Sequence, residues 1–233
     1  MKYYKKEHTI KLILTNLFPM RVNNELIMEM KAYNESQGFD YNKKEEEEDE
    51  KQKEEFLRNK NLLMQFAPNN LKSVIESAES LTLKSLPDSD ICEFDNWRYS
   101  IFREIDNCFY EYNNYIRNII KLLPVGFQKL TEMSFHDSKI ISKYVEGANL
   151  KINIMDVQKD CYVLEFINVE KFEYEHKNND NIWKQDEILL LENGFVEYSI
   201  LTDVPCICPV IEAINEIKIV ASDIKISKLV PKK

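Results

Sequence analysis

Apolar residues recur at helical spacing along the first half of the chain and alternate with polar ones along the second. Ile10, Ile13, Leu14 and Leu17 form a stripe that Pro19 ends, because a proline ring cannot continue a helix. A second amphipathic stretch runs from Glu25 to Tyr33 and stops near Gly38. Residues 43 to 55 are almost wholly charged before Phe56, Leu57, Leu63, Met64 and Phe66 restore an apolar stripe. That run predicts a solvated helix or mobile connector, or, read more sharply, an acidic contact for a basic partner. After Pro68, Leu71, Val74, Ile75 and Ala78 predict a short helix with Asn69 or Asn70 as N-cap. The longest series, from Trp97 through Ile101, Ile105, Cys108 and Tyr112 to Leu123, predicts a helix buried along one face for about seven turns. Asp90 and Glu93 stand ahead of it at capping-box spacing, and Pro124 and Gly126 close it.

The period then changes from 3.6 to 2. Leu150, Ile152 and Ile154 alternate with Lys151 and Asn153, and Phe172 and Tyr174 with Lys171, Glu173 and Glu175. Asn193-Gly194 between two apolar runs predicts a hairpin with a type I′ turn. Further turns fit at Glu146 to Asn149 and at Asp156 to Asp160, and Glu216 to Ala221 and Asp223 to Lys228 complete the set. No intervening helix is long enough for parallel crossovers, so the sheet is expected to be antiparallel. The fold class is α+β: a helical domain over 1–128, then an antiparallel β domain over 129–233, a sheet or partly open barrel of about six strands, with the boundary near 124 to 134.

Composition narrows the function. With 233 residues, 44% hydrophobic and 11% aromatic, the chain can build a packed core. Forty acidic against 31 basic residues give a net charge of −9, which repels phosphate backbones and anionic membranes and suits a basic protein partner. The basic cluster before Ile10 to Phe18 resembles a secretion signal, but Lys11, Thr15 and Asn16 interrupt the apolar run and no small-x-small site follows. No segment approaches the roughly 20 apolar residues of a membrane span, so a cytoplasmic location is expected. The five cysteines, Cys92, Cys108, Cys161, Cys206 and Cys208, are odd in number and scattered, as reduced thiols are.

The four glycines are unclustered and form no phosphate cradle, which excludes Rossmann and P-loop enzymes. Zinc-protease, zinc-ribbon and α/β-hydrolase signatures are absent. The long helix carries Glu104 and Glu111 without a Glu-x-x-His, so a di-iron bundle lacks ligands, and no cofactor is expected. All five arginines precede the boundary, which leaves the β half without a guanidinium clamp for carboxylate or phosphate.

Two clusters carry candidate chemistry. In Ser134-Phe135-His136-Asp137-Ser138-Lys139 a histidine beside an aspartate could be an oriented base or a metal pair, with Glu187, Glu192, Tyr198 or Asp203 added from neighbouring strands. Adjacent strand residues face opposite ways, so His136 and Asp137 cooperate only if the chain turns there. The alternative is structural: His136 hydrogen-bonded in the domain junction, with Asp137 or Ser138 binding backbone at the strand start. Cys206 and Cys208 would share one face of a strand as half of a metal site completed by Cys161, His176 or His136, or would be small buried hydrophobes. His8 and His176 read as surface or strand-end residues, and Tyr110, Tyr112 and Tyr115 as core and rim rather than a stacking platform.

The opening MKYYKKE, the junction SFHDSKI and the closing ASDIKISK resemble the uncharacterised bacterial family numbered 4085 among the domains of unknown function. The resemblance spans most of the chain, omits residues 43 to 55, and implies a cytosolic bacterial protein with a two-part fold. It implies no activity, so no role passes to His136 or Asp137. His-Asp junctions of this kind also occur in small acidic immunity proteins of toxin systems, an analogy of association only. The expected function is a non-enzymatic protein-binding module, with an immunity-like role as one form of it. The alternative is a metal-dependent or general-base hydrolase centred on His136 and Asp137, and a third is a structural or oligomeric adaptor.

Overall fold

The computed structural model describes residues 1–19, 24–82, 85–174, 181–203 and 214–229, with the backbone alone for Asn24 and Leu26. Among them six α-helices, α1 (Lys6–Leu14), α2 (Asn24–Ser36), α3 (Tyr41–Phe66), α4 (Asn69–Ser77), α5 (Asp88–Ile119) and α6 (Val125–Leu130), precede the strands. By contact the described residues gather into two compact units, Ile10–Glu104 in one, and Met1–Thr9 with the chain from Ile105 onward in the other. None of the described helices is long and apolar enough to cross a membrane.

In the helical unit the charged run lies inside α3 and is no connector. Asp40 caps this helix by accepting from the Asn42 and Lys43 amides at 3.0 and 3.3 Å. Its buried anchors are Phe56, Asn59, Leu62 and Leu63, all beyond the charged run, so the acidic turns stay in water. Two expected caps move. Pro68 is the N-cap of α4, with Asn69 and Asn70 already helical, and Asp90 lies inside the first turn of α5, where its charge favours the positive end of the helix dipole. Within α5 full burial stops after Ile91, Phe94, Trp97 and Ile101 and does not extend over seven turns. Phe18 packs on Trp97 and Phe94 with ring centroids 4.5 and 5.2 Å apart. Gly126, expected to end α5, instead lies within α6.

The β-rich unit holds β1 (Lys139–Glu146), β2 (Asn149–Met155), β3 (Cys161–Ile167), β4 (Lys171–Tyr174), β5 (Ile182–Leu190), β6 (Val196–Asp203), β7 (Ile214–Ala221) and β8 (Asp223–Leu229). They form one antiparallel sheet in the order β4-β7-β6-β5-β1-β2-β3-β8. The count is eight rather than about six because β1 and β3, which flank the turns expected at 146–149 and 156–160, add to the six runs the alternation marked. β3 pairs with β8 and β4 with β7, so a single two-stranded ladder is divided in four. The breaks fall where Asn168 takes φ +49° and where the Ser222 hydroxyl donates to the Ile167 carbonyl at 3.0 Å. The sheet is not closed: β1 meets β5 only at Lys139 opposite Ile182.

The β5–β6 hairpin forms at the expected Asn193-Gly194, but not through a type I′ turn, since only Gly194 adopts positive φ, +84°. The Gly194 amide closes on the Leu191 carbonyl at 3.0 Å and the Leu191 amide on the Phe195 carbonyl at 2.8 Å, so the loop is one residue longer than a two-residue turn.

The core of this unit includes Phe127, Phe166, Trp183, Tyr198 and the inward isoleucines Ile152, Ile154, Ile200, Ile217 and Ile219. Each buried side chain of this size contributes about 1.5–3 kcal/mol. α6 reaches this core by lying directly on β8. The Gly126 amide donates to Asp223 Oδ1 at 3.0 Å, and a Cβ on Gly126 would fall 1.6 Å from the Ile224 carbonyl oxygen.

Candidate functional site

The loop Phe135–Ser138 is pinned to the start of β5. Asp137 donates its amide to the Trp183 carbonyl at 2.7 Å, Trp183 donates to the Ser138 carbonyl at 2.8 Å, and Ser138 donates to the Phe135 carbonyl at 2.9 Å. Phe135 and Ser138 are buried. Asp137 takes φ +62°, a left-handed conformation that Asp tolerates. This is the turn that cooperation between neighbouring residues required. It brings Asp137 Oδ2 to 3.1 Å from His136 Nδ1, while Lys184 Nζ donates to Oδ1 at 2.8 Å. The Lys184 ammonium, with His136 adding less, holds the Asp137 carboxyl below the usual range. His136 is 60% exposed, so it is not a packed junction residue.

His136 stands on the wall of a cavity of about 410 Å³ whose most enclosed charge-bearing group is Asp186, a residue the sequence reading did not single out. Asp186 keeps part of its surface on the cavity and is otherwise surrounded by protein. Burial raises its carboxyl above the ordinary value, opposed by the Trp183 indole, which donates to Oδ1 at 3.0 Å. The buried Tyr198 hydroxyl also favours the charged form, although it lies outside the geometry of a formed hydrogen bond.

The opposite wall is aromatic: Tyr4 packs against Phe109 and Tyr112 with centroids 4.9 and 5.1 Å apart. Burial first, and Asp186 second, push the hydroxyls of Tyr4 and Tyr112 far above the ordinary tyrosine value, so both stay protonated. α5 seals the free edge of β5 here, because Tyr112 and Tyr115 hydroxyls accept the Ile188 and Leu190 amides, each at 2.8 Å. Tyr4 is placed by Glu187. This carboxylate, fully buried, accepts the Lys2, Tyr3 and Tyr4 amides, those of Tyr3 and Tyr4 at 2.9 and 3.3 Å.

Of the four residues expected beside His136, Tyr198 lies behind Asp186 and Glu187 anchors the chain start; Glu192 is exposed in the β5–β6 loop and Asp203 ends β6. Cys206, Cys208 and His176 lie outside the described residues. Cys161 opens β3 as a half-buried free thiol. Among the described residues no three His, Cys, Asp or Glu side chains gather as a metal site. His8 is no plain surface residue: it lies against Cys108, with Nδ1 to Sγ at 3.6 Å. Asp186 carried no distinct signal in the sequence, because it lies within the polar stretch Lys184–Glu187 of β5.

An unclosed antiparallel sheet joined to helices, with a cavity over one enclosed carboxyl, defines an α+β protein with a candidate binding site. The family model described as "Protein of unknown function (DUF4085)" matches residues 19–213, and the chain belongs to that family. No curated protein and no solved structure matches it.

Proposed function

We propose that the protein is a binding module, and that the cavity over Asp186 receives a lysine or arginine side chain from a basic protein partner. The observation that supports this reading is a carboxyl poorly served by its surroundings: enclosed, raised by desolvation, and opening onto a cavity of about 410 Å³, which has room for a long side chain. An incoming cation would supply the missing counter-charge, while the faces of Tyr4, Phe109 and Tyr112 would pack its alkyl stem and attract its head. Lys184 competes poorly for this place because Asp137 already holds it. The net charge of −9 would speed encounter with a basic surface at low salt.

The test is titration of uniformly labelled protein with short peptides carrying one arginine, one lysine or one norleucine, followed at the Asp186 and Ile188 amides. The cationic peptides are expected to shift these signals and the norleucine peptide to leave them in place. Losing one partner of a buried pair costs about 2–5 kcal/mol, so Asp186→Asn is expected to weaken binding at least tenfold. Equal response to norleucine, or unchanged affinity in Asp186→Asn, overturns the reading.

A second reading is favoured by the pairing of His136 with Asp137, which could orient the ring as a general base for hydrolysis. It predicts turnover of an activated ester that His136→Ala abolishes and Asp186→Asn spares.

A further inference from the structure

We propose that Cys108 and His8 form a reactive thiol site that exchanges with disulfides of low molecular weight. The proposal rests on a different pair of residues from the Asp186 reading and does not depend on it. His8 lies in the first turn of α1 and Cys108 midway along α5, and the chain brings Nδ1 to 3.6 Å from Sγ across 100 residues of sequence, within reach of a sulfur hydrogen bond. Both residues are half-buried. This distinguishes the thiol from inert cysteines packed in apolar cores, and matches the partly exposed, imidazole-paired setting in which thiols react.

The exchange balances without a further reagent. The Cys108 proton passes to His8 Nδ1, and the thiolate attacks one sulfur of the small disulfide. A bond forms from Sγ to that sulfur as the original S–S bond breaks, and the departing thiolate takes the proton from His8. One disulfide and one protein thiol become a mixed disulfide and a small thiol.

The surrounding charges have mixed effects. Tyr4 faces Cys108 from ahead of α1 and is neutral, its hydroxyl held protonated mainly by burial. Glu104 and Glu111 lie one turn to either side along α5 and oppose a thiolate, but Glu104 is paired with Lys11 of α1 at 3.2 Å. The imidazole, in contact with the sulfur at 3.6 Å, favours the thiolate.

The test uses the reduced full chain, alkylated with iodoacetamide from pH 5 to 9 and read by mass spectrometry at each cysteine peptide, with exposed Cys92 as internal reference. Paired with an imidazolium, Cys108 is expected to reach half its maximal rate at least about one pH unit below Cys92. At pH 7 the advantage should be about tenfold per accessible thiol. His8→Asn is expected to raise the Cys108 profile to that of Cys92, and glutathione disulfide to form a mixed disulfide at Cys108 in preference to Cys92. The wild-type profile decides the matter even if His8→Asn fails to fold: a Cys108 profile superimposing on that of Cys92 overturns the proposal. An unchanged profile in a folded His8→Asn protein does the same.

Discussion

Replacing Gly126 by alanine tests how α6 is seated. The residue lies in a helix at ordinary negative φ, so propensity alone favours alanine by up to about 1 kcal/mol. Packing opposes it. The new Cβ would sit 1.6 Å from the Ile224 carbonyl oxygen, 2.6 Å from Asp223 Oδ1 and 2.7 Å from the Ile224 carbonyl carbon. Two of these atoms are backbone of β8, which is held by its ladder to β3, so rotation of a side chain cannot relieve the clash. α6 must lift by more than an ångström, a strain of about 1–3 kcal/mol or beyond. The lift also breaks the Gly126 amide bond to Asp223, about 1 kcal/mol more, and draws Phe127 from its place against Phe166 and Tyr198. After subtracting the propensity gain, Gly126→Ala is expected to destabilise the β-rich unit by at least about 1–3 kcal/mol. Urea unfolding followed by tryptophan fluorescence in a Trp97→Phe background reads this, because Trp183 is buried in that core while Trp97 lies in the helical unit. Gly194→Ala is the control: φ is +84° with nothing near the new atom, so only backbone strain of about 1 kcal/mol is expected. A Gly126→Ala protein within 0.5 kcal/mol of wild type (about the scatter of neutral surface changes) would refute this account of the α6–β8 contact.

Asp186 predicts a pH dependence of stability. Its folded-state carboxyl titrates above the unfolded value of about 3.9, so as pH rises the unfolded chain releases this proton first and the native state loses stability up to the folded value. Asp186→Asn should therefore be more stable than wild type at pH 7, with the gap closing below about pH 4, and a gap that widens on acidification in chemical denaturation would contradict this. Tyr112→Phe removes the acceptor of the Ile188 amide and is expected to cost about 1–3 kcal/mol and to speed exchange of that amide with deuterium, while Tyr115→Phe does the same at Leu190. Unchanged protection at Ile188 would show that another acceptor serves it. Phe127→Ala empties a fully buried ring site and is expected to cost about 3–5 kcal/mol in the same unfolding assay.

Much of the architecture was legible in the sequence because its causes are local. The period of the apolar residues separated helices from strands, short connections required antiparallel pairing, and Gly147 and Gly194 marked two of the hairpin turns. Errors arose where neighbouring chain segments took over a local role. Pro68 displaced the asparagines as cap, and α5 lost its buried face after Ile101. The His136–Asp137 pair could be suspected from adjacency, but whether the two side chains meet depended on a left-handed turn fixed by β5.

The remaining site residues left almost no trace in the sequence, because each becomes distinctive only through partners far along the chain. Glu187 is an ordinary strand glutamate until the amides of Lys2 to Tyr4, more than 180 residues away, close on it. Asp186 differs from any other strand aspartate only because Tyr4, Tyr112 and Trp183 exclude water around it. Cys108 and His8 are unremarkable on their own helices and meet only when α1 lies on α5. Residue order set the periodicity and the turns, which depend on steric and solvation preferences between near neighbours. Tertiary structure alone decided which carboxyl is desolvated and which thiol faces an imidazole, since both depend on distances in space.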